Sequence, residues 1–237
     1  MKLASFALKY AGIAAIPVYI CFTFFSHLHN PMISPLNFWL SDFGNPLVSP
    51  SGAGLYNAGC VLTAVLLAIF YGGIYRWYGR GRIAKKFVIS YAIAQAGGLL
   101  GTIFLALTAA FPLGTHTQMH SLFSKAHMIC IDFFLSFTAT GFLLTRDIPK
   151  YIGILGYVAF IFNIVTMNAF DSLYLSEWIF FMLFMAYIVF VTGQYDLLLG
   201  QKTNPAAVPH PIPANYKQSI KKDIYARRRT RQEHSIL

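Results

Sequence analysis

Six apolar runs, each about as long as a bilayer is thick, constrain this chain more than any other feature. They are roughly Phe6–Phe25, Leu55–Tyr75, Phe87–Phe111, His120–Leu144, Tyr151–Phe170 and Trp178–Leu199. A hydrocarbon core of about 30 Å is crossed by about 20 helical residues at roughly 1.5 Å each. In that medium every backbone N–H and C=O must find its partner within the protein, which leaves helices or closed barrels. Barrel strands are about ten residues long and alternate in polarity, whereas these runs are continuous and twice that length. Only 11% of the residues are charged and 57% are hydrophobic, too few charges to solvate an ordinary globular surface, which is typically about 25% charged. The expected fold is all-α: a polytopic membrane protein with six transmembrane helices in one bundle. Residues 1–200 form the bundle in this reading, and 201–237 are expected to form a disordered cytoplasmic tail that is first proline-rich and then polybasic.

Lys2 and Lys9 ahead of a hydrophobic stretch resemble a signal peptide. The stretch is too long for a typical h-region, however, and no small-x-small cleavage site follows it. Cys21, Cys60 and Cys130 all lie in apolar runs. They read as small packing residues, with no thiolate metal spacing and no disulfide framework.

The net charge of +10 is distributed as a membrane topology signal, which argues against a nucleic-acid partner. Of the 18 Lys and Arg, 17 lie before or at the start of the first run, between the second and third, between the fourth and fifth, or after the sixth. With six spans all of these fall on one side, and the positive-inside rule makes that side cytoplasmic, with both termini. A plasma membrane or bacterial cytoplasmic membrane fits this pattern. Four prolines in Asn204–Pro213 favour an extended linker. Beyond it, Lys221, Lys222, Arg227, Arg228, Arg229 and Arg231 are candidate contacts for anionic lipid, at about 1 kcal/mol per charge.

The one basic residue assigned to the opposite side is Lys125, within the segment Phe111–His127 that also holds His116, His120 and His127. Pro112 and Gly114 are expected to end the third helix, making runs three and four an antiparallel hairpin with this segment at its tip. If Thr115–Asp132 is helical, His116, His120, Ser124 and His127 fall within roughly 80° of one another and form one polar stripe. Lys125 and Asp132 share another face, about 10.5 Å apart along the axis. Lys125 is expected to snorkel to the interface. Asp132 then needs another partner, from Asn163, Thr166 and Asn168 on run five or Gln95 on run three.

Two further segments on that side can approach the tip: Asn37–Pro46, with Ser41 and Asp42, and Asn168–Trp178, with Asp171 and Glu177. Asn57 opens the second run there. The candidate pocket is thus Ser41, Asp42, Asn57, His116, His120, His127, Asp171 and Glu177, with Lys125, Asp132 and Asn163 as intramembrane polar residues.

Intramembrane titratable groups need either a partner or a role. Three roles are open. The pocket could hold a lipid headgroup. His116, His120 and Asp42 could ligate a metal for lipid or ester hydrolysis, since His with carboxylate is a zinc-type set, although HExxH is absent. His127 and Asp132 could relay protons in a transporter, although no span is broken mid-membrane as transporter sites often are. The first is the expectation here: a pocket that engages lipid and does not catalyse a reaction, with no cofactor, with membrane lipids as partners and with no protein partner indicated. A purely local reading of Ser41 and Asp42 is as caps of a turn. Gly97, Gly98 and Gly101 read as close helix packing.

The segments Leu40-Ser41-Asp42-Phe43-Gly44, Leu55-Tyr56-Asn57-Ala58-Gly59 and Phe111-Pro112, with His120 before a Phe-rich fourth span, resemble the DRAM-like (damage-regulated autophagy modulator) membrane proteins and their prokaryotic relatives. Glu177-Trp178 matches their pattern loosely. The resemblance covers Phe6–Leu199. It implies a six-span bundle with cytosolic termini and a link to lipid handling, trafficking or lipid asymmetry, without a settled enzymatic mechanism. His116 and His127 are not part of that pattern.

Overall fold

A computed structural model describes residues 2–79, 87–145, 148–169 and 173–198. In chain order the elements are α1 (Lys2–His29), a 3₁₀ turn (Leu40–Gly44), α2 (Ala53–Gly73), the short α3 (Tyr75–Gly79), α4 (Val88–Ala110), α5 (Thr117–Leu144), α6 (Lys150–Ala169), α7 (Tyr174–Gly193) and the short α8 (Tyr195–Leu198). There is no strand among the described residues. Among the described residues six helices are long and apolar enough to cross a membrane: Leu8–His29, Ala53–Tyr78, Val88–Ala110, Thr117–Leu144, Lys150–Met167 and Tyr174–Gly193. The chain is an all-α multi-pass membrane protein.

Each span packs on the next one in the sequence, and α7 closes back on α1. The six spans therefore form a ring in chain order. One core fills most of its length, with Phe70, Tyr71, Trp77, Tyr91, Phe134, Phe142 and Tyr187 fully buried. The outside is apolar as well: Ile20, Val65, Ile103, Ile129, Phe133, Ile154 and Ile161 are exposed. On a soluble protein that would be an aggregation surface; in a bilayer it is the lipid-facing wall.

Lipid gives helices no hydrophobic incentive to associate, so close packing has to hold them together. A Cβ on Gly97 would stand 2.8 Å from the Cys130 carbonyl oxygen, and one on Gly98 would stand 2.6 Å from Cγ of the Tyr71 ring. These two glycines let α4 approach α5 and α2, as their spacing in the sequence implies.

At one end of the ring the 30–52 connection folds over the helix tips. Ile33, Leu40 and Phe43 are buried there with Tyr19, Tyr56 and Cys60 in a second, smaller core. The Asn30 side-chain amide donates to the Val48 carbonyl at 2.6 Å, the Asn57 amide to the Gly44 carbonyl at 3.0 Å, and the Trp178 indole N–H to the Phe38 carbonyl at 3.1 Å. The connection is thereby pinned to both α2 and α7.

The α4–α5 hairpin turns at the same end. Phe111 leaves the helix at φ −115, ψ 79, and Gly114 takes φ +90, a left-handed conformation that side chains with a Cβ rarely adopt. The His116 N–H closes the turn on the Pro112 carbonyl at 3.0 Å, and α5 begins only at Thr117.

Candidate functional site

Inside the ring, beneath the folded connection, lies a cavity of about 80 Å³. At roughly 10–15 Å³ for a water molecule, it has room for several. Its wall combines Ser41 from the 3₁₀ turn, Tyr19 from α1, Tyr56, Asn57, Cys60 and Thr63 from α2, Thr108 from α4, His120, Ser124 and His127 from α5, and Glu177 from α7. The structure thus brings together Ser41, Asn57, His120, His127 and Glu177 of the sequence-derived pocket. The link between Ser41 and Glu177, far apart in sequence, is direct: Glu177 Oε2 accepts from the Ser41 N–H at 3.3 Å and from Ser41 Oγ at 3.4 Å.

Asp42 and His116 do not line this cavity. Asp42 is buried, but its Oδ2 accepts the Trp39 N–H at 3.0 Å and its Oδ1 accepts the Asn45 amide at 3.4 Å. A short acid one turn in reaches back to the first N–H of its own turn, so Asp42 serves the fold of the connection. His116 is exposed and sits edge-on to Phe111, ring centroids 5.6 Å apart. The Gly114 turn delays the helix start by two residues relative to the expected Thr115, which leaves His116 at the N-cap position and off the stripe. The stripe itself survives as His120, Ser124 and His127. Asp171 and the tail residues Lys221, Lys222, Arg227, Arg228, Arg229 and Arg231 lie outside the described residues.

The two cavity histidines are oriented by backbone carbonyls. His120 Nδ1–H is shared between the carbonyls of Phe111 at 3.1 Å and Thr108 at 3.2 Å. The Thr108 carbonyl would ordinarily receive the N–H of residue 112, but Pro112 has none. His120 replaces the missing donor. His127 Nδ1–H donates to the Gly101 carbonyl at 2.8 Å. A carbonyl only accepts, so in each neutral ring the proton sits on Nδ1 and Nε2 keeps a lone pair. With the Glu177 carboxylate, the wall is rich in acceptors and holds no lysine or arginine.

Several lining residues escaped the sequence reading. The Tyr19 and Tyr56 hydroxyls are 2.5 Å apart. Thr63 is 1% exposed, and its hydroxyl has no hydrogen-bond partner. Tyr56, Cys60, Thr63 and Leu67 follow one another at helical spacing, and that stripe was the available signal.

A second cavity, of about 390 Å³, adjoins the first, sharing Ser41, His120, Ser124, Met128, Glu177 and Phe180 with it. It adds Trp39, Ser121, Lys125, Asn163, Thr166 and Ser176. Through Lys125 and Met167 it continues into a groove of about 540 Å³ between α5 and α6, walled mainly by Ile129, Phe133, Phe137, Phe160 and Ile164. Asp132 and Ser136 are the polar strip of that groove. The Asp132 carboxylate is turned to α6, where the Asn163 amide donates to both its oxygens at 3.0 Å. Asn163 is thus the expected partner, while Gln95 bonds the Tyr71 and Gly72 carbonyls and Tyr78. Lys125 is exposed and lines both the second cavity and the groove. On the opposite flank an apolar groove of about 380 Å³ runs between α1 and α7 past Ile20, Phe24 and Met182.

His127 and Asp132, the candidate proton relay, line different cavities. Among the described residues no three His, Cys, Asp or Glu side chains are grouped to hold a metal ion, and His116, His120 and Asp42 in particular are not gathered.

No curated protein and no solved structure matches the chain. One family does match, over residues 13–194, which reach into all six spans and include the whole cavity wall. The six-helix ring with its folded connection therefore belongs to the family described as Protein of unknown function (DUF998).

Proposed function

We propose that this protein holds a membrane lipid at the end of its bundle closed by the 30–52 connection, and that it acts in membrane lipid organisation or signalling without catalysing a reaction. The observation that carries this reading is continuity. A chamber lined by Ser41, His120, Ser124 and Glu177 runs into an apolar groove between α5 and α6, and exposed Ile129, Phe133 and Ile164 of that groove belong to the lipid-facing wall. A polar room with an apolar corridor matches a molecule with a head and a tail. The resemblance of Leu40–Gly44 and Leu55–Gly59 to the DRAM-like proteins, which are linked to lipid handling, supports the same reading. The charge asymmetry supports cytoplasmic termini in a plasma or cytoplasmic membrane, with the polybasic tail on anionic lipid.

The test is native mass spectrometry of the full chain, comparing the wild type with Ser41→Ala, Asn57→Ala and His120→Ala, and with Ile154→Ala on the lipid-facing wall as control. The expected result is retained lipid in the wild type and in Ile154→Ala, with less in the three cavity variants. Equal lipid retention in all five proteins overturns the proposal.

A further inference from the structure

The wall of the second cavity carries one basic and one acidic side chain, on different helices. Lys125 on α5 is the only lysine or arginine in its wall, and Glu177 on α7 is the only acid. The same wall carries the polar side chains of Ser121, Ser124, Asn163, Thr166 and Ser176. Lys125 has no hydrogen bond or ion pair to another described residue, and Glu177 Oε2 is held by Ser41. A lysine on a membrane span is costly unless it reaches the interface or meets an anion, and phosphate is the anion a bilayer supplies at its interface. A half-buried carboxylate in the same wall asks for a donor that carries positive charge. An anionic headgroup such as glycerol phosphate satisfies the first and leaves the second facing a neutral polyol.

We infer that the ligand is a zwitterionic phospholipid with a primary amine, of the phosphoethanolamine type. Its phosphate meets Lys125, its ammonium meets Glu177, and its chains lie in the α5–α6 groove. This rests on the lipid-binding reading above and narrows it to a headgroup. The choice of a primary over a quaternary ammonium follows from the wall. Trimethylammonium groups are recognised by cages of aromatic faces, and besides the His120 imidazole only Trp39 and Phe180 are aromatic in this wall. The hydroxyls and amide of Ser121, Ser124, Ser176 and Asn163, with the carboxylate of Glu177, instead match N–H and phosphate oxygen. The groove begins at Lys125, where the phosphate would place the start of the acyl chains. Its walls Ile129, Phe133, Phe137, Phe160, Ile164 and Met167 are apolar, and the Asp132 carboxylate is occupied by Asn163.

The experiment uses delipidated full-length protein and measures relative occupancy by native mass spectrometry. The probes are phosphatidylethanolamine, its N-methyl and N,N-dimethyl forms, phosphatidylcholine and phosphatidylglycerol of equal chain length. Water-soluble phosphoethanolamine is a separate arm. The expected result is a stepwise fall along the methyl series, reaching about tenfold at phosphatidylcholine, the equivalent of ~1.4 kcal/mol. Phosphatidylglycerol is weaker than phosphatidylethanolamine, and free phosphoethanolamine does not compete at equal concentration. Glu177→Gln flattens the methyl series, and Lys125→Gln weakens all five phospholipids together while preserving their order.

The wild-type methyl series needs no variant to fold, so it decides the headgroup by itself. A flat series, or a preference for phosphatidylglycerol, overturns the headgroup assignment while lipid binding stands. Equal binding of free phosphoethanolamine overturns the assignment of the groove to the chains. Retention of no phospholipid at all overturns both this inference and the lipid-binding reading.

Discussion

Replacing His120 with Phe keeps a ring of similar size at a site 7% exposed and removes both hydrogen bonds from Nδ1. The Thr108 and Phe111 carbonyls lose this donor, and for Thr108 the sequence offers no replacement, because residue 112 is a proline. Hydrogen bonds between spans in membrane proteins average ~0.6 kcal/mol and reach ~1.7, so two of them are worth about 1–3 kcal/mol. The cavity term is small, since Phe nearly conserves volume. For a bundle of this size 1 kcal/mol moves the melting temperature by about 2–4 °C, so the expected fall lies between about 2 and 12 °C. The assay is thermal unfolding of the full chain in detergent, followed by circular dichroism. The stronger test is a double-mutant cycle with Pro112→Ala. An alanine brings back the N–H that Thr108 lacks, so His120→Phe should cost at least ~0.5 kcal/mol less in that background. Additive costs, or a His120→Phe protein that melts with the wild type, would refute the idea that His120 stands in for the missing proline donor.

Asn163→Leu takes both donations from the buried Asp132 carboxylate, and an orphaned buried acceptor costs about 1–3 kcal/mol or more if charged. Its melting temperature should fall further than that of Asp132→Asn, and the reverse order would contradict the pairing. Gly97→Ala should destabilise by ~1–3 kcal/mol, because its new Cβ meets a backbone carbonyl of α5 at 2.8 Å that cannot swing away. Gly54→Ala meets nothing within 4 Å and should be neutral or stabilising by up to ~1 kcal/mol; equal effects from the two glycines would remove the packing argument. Thr63→Val deletes an unpartnered buried hydroxyl at nearly constant volume, so delipidated protein should melt at or above the wild-type temperature. A loss of stability there would mean that the hydroxyl has a structural partner.

The six spans were legible because continuous apolar runs of bilayer length admit one solution. The glycines of α4 and the Asp132–Asn163 pair were legible for a related reason: in lipid, a small residue and a buried acid each narrow their neighbours to few choices. The candidate site was legible only in part. Ser41, Asn57, His120 and Glu177 were marked by polarity at span ends and His127 by its helical spacing from His120, and the ring gathers them. The turn at Gly114 was visible, but its length was not, and those two residues decide that His116 lies outside. Asp42 had equally good local and long-range uses on paper, and the local one, three residues away, carries the smaller entropic cost. Tyr19 and Tyr56 were hidden because tyrosine at membrane depth reads as interface anchoring until its partner is seen.

The chain-order ring also sets a timetable for biogenesis. Five of its six contacts join consecutive spans and can form as each helix leaves the insertion machinery, whereas the α1–α7 contact waits for the last span. The 30–52 connection waits with it, since its ties from Ser41 to Glu177 and from Phe38 to Trp178 reach a helix synthesised more than a hundred residues later. Until α7 arrives, the connection has nothing to close against on that flank and the bundle is an open horseshoe. Completion of the final span is therefore the event that latches the structure. Chains cut before Tyr174 should show protease cleavage within 30–52 that full-length protein resists.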